Sequence, residues 1–355
     1  MVTYAHGVRA ILGSSPSAPT FLINRFVSFM TINNLKSLFE IIRPRLKKII
    51  ILIFVIWSLS IFGFGSLIGW FFGSQSTLAK FKEIYPSDRI LIIAPHIDDE
   101  IISSAGLIQE ALKKGAKIKI VYLTNGDNNY LSVISKNKSF KENPNDFIKL
   151  GQKRIEEAKE ATAVLGLKAE DLIFLGYPDG GLKNLLRENF LIPYTHKASK
   201  LNYNPYSGTY KEKQLYKGIN LFNDLKEIIT DFKPTIIILP HPRDINPDHS
   251  AGYYFTLSVL EEVEERVVLF AYLVHYKNYP LEKGLHQDKL IYPPNKLFSK
   301  EGWLSLNLDE TEIQKKLEAL SKNKTQLYYY PGGGRGYLES FVRQNEIFEE
   351  ISYRY

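Results

Sequence analysis

The sequence predicts an α/β fold, a Rossmann-like, mostly parallel sheet with helices on both faces, preceded by one transmembrane helix. Three observations carry this expectation. From Ser87 onward short apolar runs alternate with longer helical stretches, the β-α-β-α order that builds a parallel sheet. Upstream, Ile49 to Phe72 contains no charged residue, and about 20 apolar residues suffice to cross a bilayer core as a helix. The net charge of +7 is also uneven. Residues 1–48 hold seven Lys/Arg (Arg9, Arg25, Lys36, Arg43, Arg45, Lys47, Lys48) against Glu40, so +6 lies there and the rest of the chain carries only +1.

These figures exclude several classes. A 355-residue chain that is 45% hydrophobic and 23% charged is a folded protein and not a disordered or fibrous one. Having no cysteine, it has no disulfide scaffold, thiol nucleophile, Cys-ligated zinc or iron–sulfur cluster. With the basic charge confined to the N-terminus, a nucleic-acid surface loses its support. The expected organisation is a basic cytoplasmic segment over 1–48, a transmembrane helix over 49–73, a linker over 74–86 and a catalytic domain over 87–355. Five Lys/Arg precede the span within 15 residues and two follow it, which predicts a cytoplasmic N-terminus and an extracytoplasmic body.

Within the domain, Arg89–Ala94 reads as a buried strand, 100–114 as a helix stopped by Gly115, and Lys117–Leu123 as a strand. Residues 147–165 read as a helix ending at Gly166, then Asp171–Leu175 as a strand. After 187–217, an Asn- and Tyr-rich insertion, come a helix over 218–232 and a strand over Thr235–Leu239. A helix over 248–265 and a strand over Val267–Val274 follow. The stretch 276–300 is irregular, Thr311–Gln326 is a polar helix, and Tyr328–Gly336 is a loop. Right-handed crossovers place the carboxyl ends of such strands along one edge, where ligands bind.

Chemistry-bearing residues concentrate at two of those ends. Ala94-Pro-His96-Ile-Asp98-Asp99-Glu100 follows the first strand, and His241-Pro-Arg243-Asp244-Ile-Asn246-Pro-Asp248-His249 follows the fourth. Each cluster has a plain structural reading: Asp98 or Asp99, and likewise Asp248, can cap the next helix. Because both lie past strand ends of one sheet, two histidines and a carboxylate can also meet there as a metal site open to water. No glycine fingerprint follows the first strand, and no G-x-S-x-G elbow is present, which argues against dinucleotide binding and serine hydrolysis.

The motif PHIDDE resembles the PHPDDE signature of the PIG-L/LmbE-like zinc-dependent N-deacetylases, with Ile97 where proline is usual. The second cluster is similar to that family's D-x-H-P-D-H element. The likeness continues through Tyr122-Leu-Thr-Asn-Gly126, Arg154-x-x-Glu157 with Val164-Leu-Gly166, Gly176-Tyr-Pro-Asp-Gly-Gly-Leu182, and Lys316-x-x-Ala319-Leu with Thr325-Gln326. It covers about residues 88–350. The resemblance implies an LmbE-like fold in which His96, Asp99 and His249 bind zinc, with iron or cobalt as other divalent candidates for such a donor set. It implies that Asp98 is the general base toward water and that Asp248 orients a neighbouring side chain. Arg154 would contact substrate, an exposed pair with Glu157 being the alternative, and Asp179 would wall the site. Where the family has a histidine three residues before the last ligand, this chain has Asn246, which can donate a hydrogen bond but cannot transfer a proton. His241 is the nearest substitute, although a histidine at a strand end is more often structural. His6, His196, His275 and His286 fall outside any metal-ligand spacing.

The function expected from these readings is that of a membrane-anchored, zinc-dependent hydrolase. It would remove N-acetyl from an amino sugar, glycan or lipid-linked sugar at the membrane. A catalytically weak, metal-containing glycan-binding module and an amidase acting on a non-sugar acyl amide are the alternatives.

Overall fold

The computed structural model describes residues 43, 47–48, 50–51, 78–137, 143–298, 302–327 and 334–352. The chain divides into two compact units, Met1–Ser76 and Thr77–Tyr355, and the sheet belongs wholly to the second. Its elements are β1 (Ala79–Lys80), β2 (Arg89–Ala94), α1 (Asp99–Lys114), β3 (Lys117–Thr124), α2 (Tyr130–Asn137), α3 (Pro144–Leu165), β4 (Leu172–Tyr177) and α4 (Leu182–Leu185). After these come α5 (Gly218–Phe232), β5 (Ile236–Pro240), α6 (Pro247–Val263), β6 (Val268–Tyr272), β7 (Trp303–Asn307), α7 (Glu310–Leu320), α8 (Gly334–Glu339) and β8 (Asn345–Ile351).

The eight strands lie in the order β1-β7-β8-β6-β5-β2-β3-β4. All pair in parallel except β8, which runs antiparallel to both β6 and β7. In β2 the run Ile-Leu-Ile-Ile is apolar without alternation because both faces are covered. Ile90 and Ile92 enter one buried cluster, and Leu91 and Ile93 enter the other. Gly115 ends α1 at φ 80°, with its N–H on the carbonyls of Ala111 and Leu112.

Chain order fixes where a ligand fits. From β2 the chain proceeds to β3 and β4 on one side, whereas β5 and β6 build outward on the other. The loops leaving β2 and β5 therefore diverge in opposite directions, opening a crevice at the carboxyl edge between adjacent strands. His96 stands on the first of those loops, and His249 in the first turn of α6, which follows the second.

The expected membrane anchor is corrected. Among the described residues no helix is long and apolar enough to cross a membrane. The longest described helix, α3, has 22 residues but is amphipathic, with Lys149, Lys153, Arg154, Glu156, Glu157, Lys159 and Glu160 along it. An uncharged run is a property of composition, and spanning additionally requires one continuous helix. Of the segment 49–73 read as that helix, only Ile50 and Ile51 are described. The rest, like most of the basic segment, lies outside the described residues. The transmembrane helix, the membrane and lipid-linked partner, and the single-pass extracytoplasmic location are accordingly not retained. Five further elements were not expected, namely the short β1, α2, the short α4, and the strands β7 and β8. The helix α8 falls where a loop was expected.

Candidate metal centre

β2 delivers the chain into the turn Pro95–Asp98, and α1 begins at Asp99. Asp98 sits at the helix N-cap with φ 118° and ψ −25°, a left-handed backbone that a non-glycine residue adopts only under constraint. Its side chain does not cap the helix, so the capping alternative does not hold for Asp98. This turn aims two side chains at one point. Asp99 is anchored by the His96 N–H, which donates to its Oδ2 at 2.8 Å. That oxygen stands 3.4 Å from His96 Nδ1.

β5 brings the third group. Asn246 caps α6 by accepting the Asp248 N–H at 2.9 Å, with Pro247 in the first turn. One residue further on, His249 is fully buried and turns Nε2 inward. That nitrogen lies 3.2 Å from His96 Nδ1 and 3.2 Å from Asp99 Oδ2. The three atoms thus form a triangle with edges of 3.2, 3.2 and 3.4 Å. Ligand atoms around a tetrahedral cation with bonds of about 2.0–2.1 Å stand about 3.3 Å apart. The donor set, its convergence and its spacing fit a divalent metal. His275, beyond β6, also reaches this point: ring nitrogens of His96, His249 and His275 all lie within 4.8 Å of one another.

Each inward histidine is backed by carboxylates. His96 Nε2 lies 3.4 Å from Asp179 Oδ1 and 3.5 Å from Asp248 Oδ2. His249 Nδ1 lies 3.1 Å from Asp244 Oδ2, close enough for charge pairing though off the hydrogen-bond line. The backing groups are themselves held. Asp248 accepts the N–H groups of Gly180 at 2.6 Å and Leu182 at 3.0 Å, and Gly180 takes φ 75° to present its N–H. Asp244 accepts from Asn246, Val274 and His275 N–H at 2.9, 3.1 and 2.9 Å. Such outer contacts fix the ring orientation of metal-binding histidines.

The acidity of these groups follows from the crowding. Burial opposes charge on both histidines. The carboxylates Asp179, Asp248 and Asp99 nevertheless hold His96 well above its ordinary range, and Asp99 and Asp244 hold His249 at about 9. Burial and the charge of Asp99 push Asp98 up to about 7, and burial with the charge of Asp98 pushes Glu100 up to about 8. Burial would raise Asp99, but His249 and His96 carry it far down. His275 is lowered to about 4 by burial and by the positive charge on His249. Side-chain exposure of 13% at His96 and 16% at Asp179, against 0% at His249, places the open side of the centre toward Asp179.

The remaining expected residues are placed as follows. Arg154 is 2% exposed, so the surface-pair reading is corrected. Its guanidinium donates to Gly126 O, Ser132 Oγ and Thr325 Oγ1, and Glu157 accepts from the Thr325 N–H and hydroxyl instead of pairing directly. Asp248 does not cap α6. Asn246 does, through the side-chain oxygen that a proton-relaying histidine would not offer. His241 stacks on Trp303 at 5.6 Å and pairs with Glu349 at 2.5 Å, a structural assignment that leaves it no part in the centre. Asp244 and His275 were missed. The first had a signal, standing two residues before the helix cap in the second cluster; the second had none, lying alone beside an irregular stretch.

The model of the family described as PIG-L, GlcNAc-PI de-N-acetylase, matches residues 91–260, from within β2 to within α6. Over that stretch the chain matches the PIG-L family. With that match and a convergent His/Asp cluster, it reads as a metal-dependent hydrolase. Among solved structures it is similar to the A40926 pseudoaglycone deacetylase Dbv21, at 19% identity and TM-score 0.49, over 76% of this chain and 99% of that one. It is also similar to the N,N'-diacetylchitobiose deacetylase from Pyrococcus horikoshii, at 16% identity and TM-score 0.46, over 75% and 84% of the two chains. A third is a conserved protein from Thermus thermophilus, at 20% identity and TM-score 0.43, over 75% and 96%. No curated protein matches.

Proposed function

We propose that this protein is a zinc-dependent de-N-acetylase acting on an N-acetylated amino sugar, with His96, Asp99 and His249 as the metal ligands. The observation that carries the reading is the triangle of those three donor atoms, 3.2, 3.2 and 3.4 Å on its edges, beside the constrained Asp98. A bound divalent cation supplies acidification of water and polarisation of the acetamide carbonyl. Asp98 supplies the proton traffic. With its carboxyl raised to about 7, it accepts the proton of the attacking water near neutral pH and returns it to the departing amine. His96 and His249 are kept in register by Asp179, Asp248 and Asp244, so the ligand atoms need no rearrangement. Arg154, pinned by three neighbours, places fixed positive charge toward Asp98 and Asp179. Asp179, on the open side, is the wall against which the sugar packs. The sugar assignment draws on the family's description as a GlcNAc-PI de-N-acetylase.

The test is acetate release from a panel of N-acetylglucosamine compounds and N-acyl amino acids by zinc-loaded protein. Release from the sugars, reduced about 10²–10⁴-fold in Asp98→Ala with the metal retained, is the expected result. Release from the acyl amino acids alone would overturn the sugar assignment, and loss of metal in Asp98→Ala would overturn its role as base.

A further inference from the structure

Resting on the metal reading above, we infer that His275 is a third imidazole ligand, so that the centre is a three-histidine, one-aspartate site. His275 leaves β6, the strand next to β5, at the same carboxyl edge as the two sequence clusters. Its ring meets that of His249 edge-on, with centroids 4.8 Å apart and planes at 74°. Its ring nitrogen belongs to the same group as those of His96 and His249, all within 4.8 Å. Two features hold it there. The His275 N–H donates to Asp244 Oδ2 at 2.9 Å, the oxygen that faces His249 Nδ1, so one carboxylate positions both histidines. On the other side the imidazole stacks on Tyr337 at 5.9 Å and 13°.

Tyr337 also decides which nitrogen carries the lone pair. The tyrosine has one hydroxyl proton, and it is given to Val274 O at 2.7 Å. At the 3.4 Å contact between Tyr337 Oη and His275 Nδ1 the imidazole must therefore donate. That leaves the lone pair on Nε2, available to a metal, with the other N–H engaged as is usual for ligating imidazoles. Four protein donors still admit substrate, because catalytic zinc expands to five-coordination and other divalent metals take five or six ligands. The third imidazole sits on a different element from position 246, where Asn246 is committed to capping α6.

The experiment uses the full chain loaded with Co²⁺ as the probe metal. Visible absorption and X-ray absorption report the coordination, and chelator competition reports the affinity. The expected result is three imidazoles in the unaltered protein and two in His275→Ala. Affinity should fall by more than the roughly 10–100-fold that loss of a supporting partner costs, and the cobalt spectrum should change. Two imidazoles in the unaltered protein, or unchanged affinity and spectrum in His275→Ala, overturns the inference. Should His275→Ala fail to fold, Tyr337→Phe removes only the hydroxyl opposite Nδ1. It is expected to alter the cobalt spectrum, and an unaltered one counts against the inference. His249→Ala is run in parallel: metal retained there would sink the metal centre itself, whereas metal lost there but kept in His275→Ala defeats only the third imidazole.

Discussion

Two buried charged clusters among the described residues of this domain differ in their balance. Against α1, Lys316 and Glu346, each 1% exposed, meet at 2.7 Å. Lys316 also donates to Ile102 O, and Glu346 accepts the N–H groups of Gly106 and Leu107. One charge of each sign is present, and the spare hydrogen-bonding capacity is spent on the backbone of α1. At the crevice, six carboxyl groups (Asp98, Asp99, Glu100, Asp179, Asp244, Asp248) crowd around His96, His249, His275 and Arg154. Here the acids are not matched one for one. Burial costs both clusters the same kind of desolvation, but the first has balanced it internally while the second has an excess of negative charge converging on a point. The balanced pair is a clamp for a helix; the unbalanced set is built for a cation.

The largest expected effect tests the unbalanced set. His96→Ala, Asp99→Ala and His249→Ala should each lose metal and fall to background activity, since each deletes a donor from the converging set that holds the ion. Full metal content in any of the three, by elemental analysis, would remove that residue from the ligand set. Next comes the clamp. Lys316→Ala strands Glu346 in the core and should cost about 3–5 kcal/mol of stability by denaturant unfolding. Metal affinity in the surviving folded fraction should be unchanged, and a parallel loss of metal would show that the two clusters are not independent. A subtler effect follows from the protons that the carboxylates hold on the histidines. Metal must displace the proton of His249, held at about 9, so affinity should rise with pH toward 9 and drop about tenfold per unit below it for each proton displaced. Chelator competition between about pH 6 and 9 measures this; a flat profile would mean that His249 is already neutral. The smallest effect belongs to Asn246. Asn246→Ala removes the cap of α6 and should cost about 1 kcal/mol, while Asn246→Asp, which keeps an acceptor, should cost less. Equal stability of the two variants would show that the cap is dispensable.

The same contrast explains what was legible in the sequence. β2, α1, β3 and α5 were readable almost to the residue, because apolar runs and helix stops are local properties. The convergence of His96, Asp99 and His249 was legible too, because two short motifs carry them to strand ends. β8 was not readable. Its Asn345 and Glu346 are buried against Ile291 and Lys316, partners far off in sequence, so the polar letters gave no sign of a strand. His275 was invisible for a related reason: its meaning comes from Asp244 and Tyr337, 31 and 62 positions away. The uncharged run at 49–72 lies almost wholly outside the described residues, among which no helix is long and apolar enough to cross a membrane.

His96 and His249 are 153 positions apart in the chain, yet their facing nitrogens are separated by 3.2 Å. An ion gripping both is a removable staple between two halves of the sheet, closing a loop of that length in the native state only. Mass action then makes thermal endurance a function of metal supply: free ion at about 100 times its dissociation constant adds about 2.7 kcal/mol. Under metal starvation the protein would lose durability together with catalysis, so scarcity of the ion would set how long the molecule lasts as well as how fast it works.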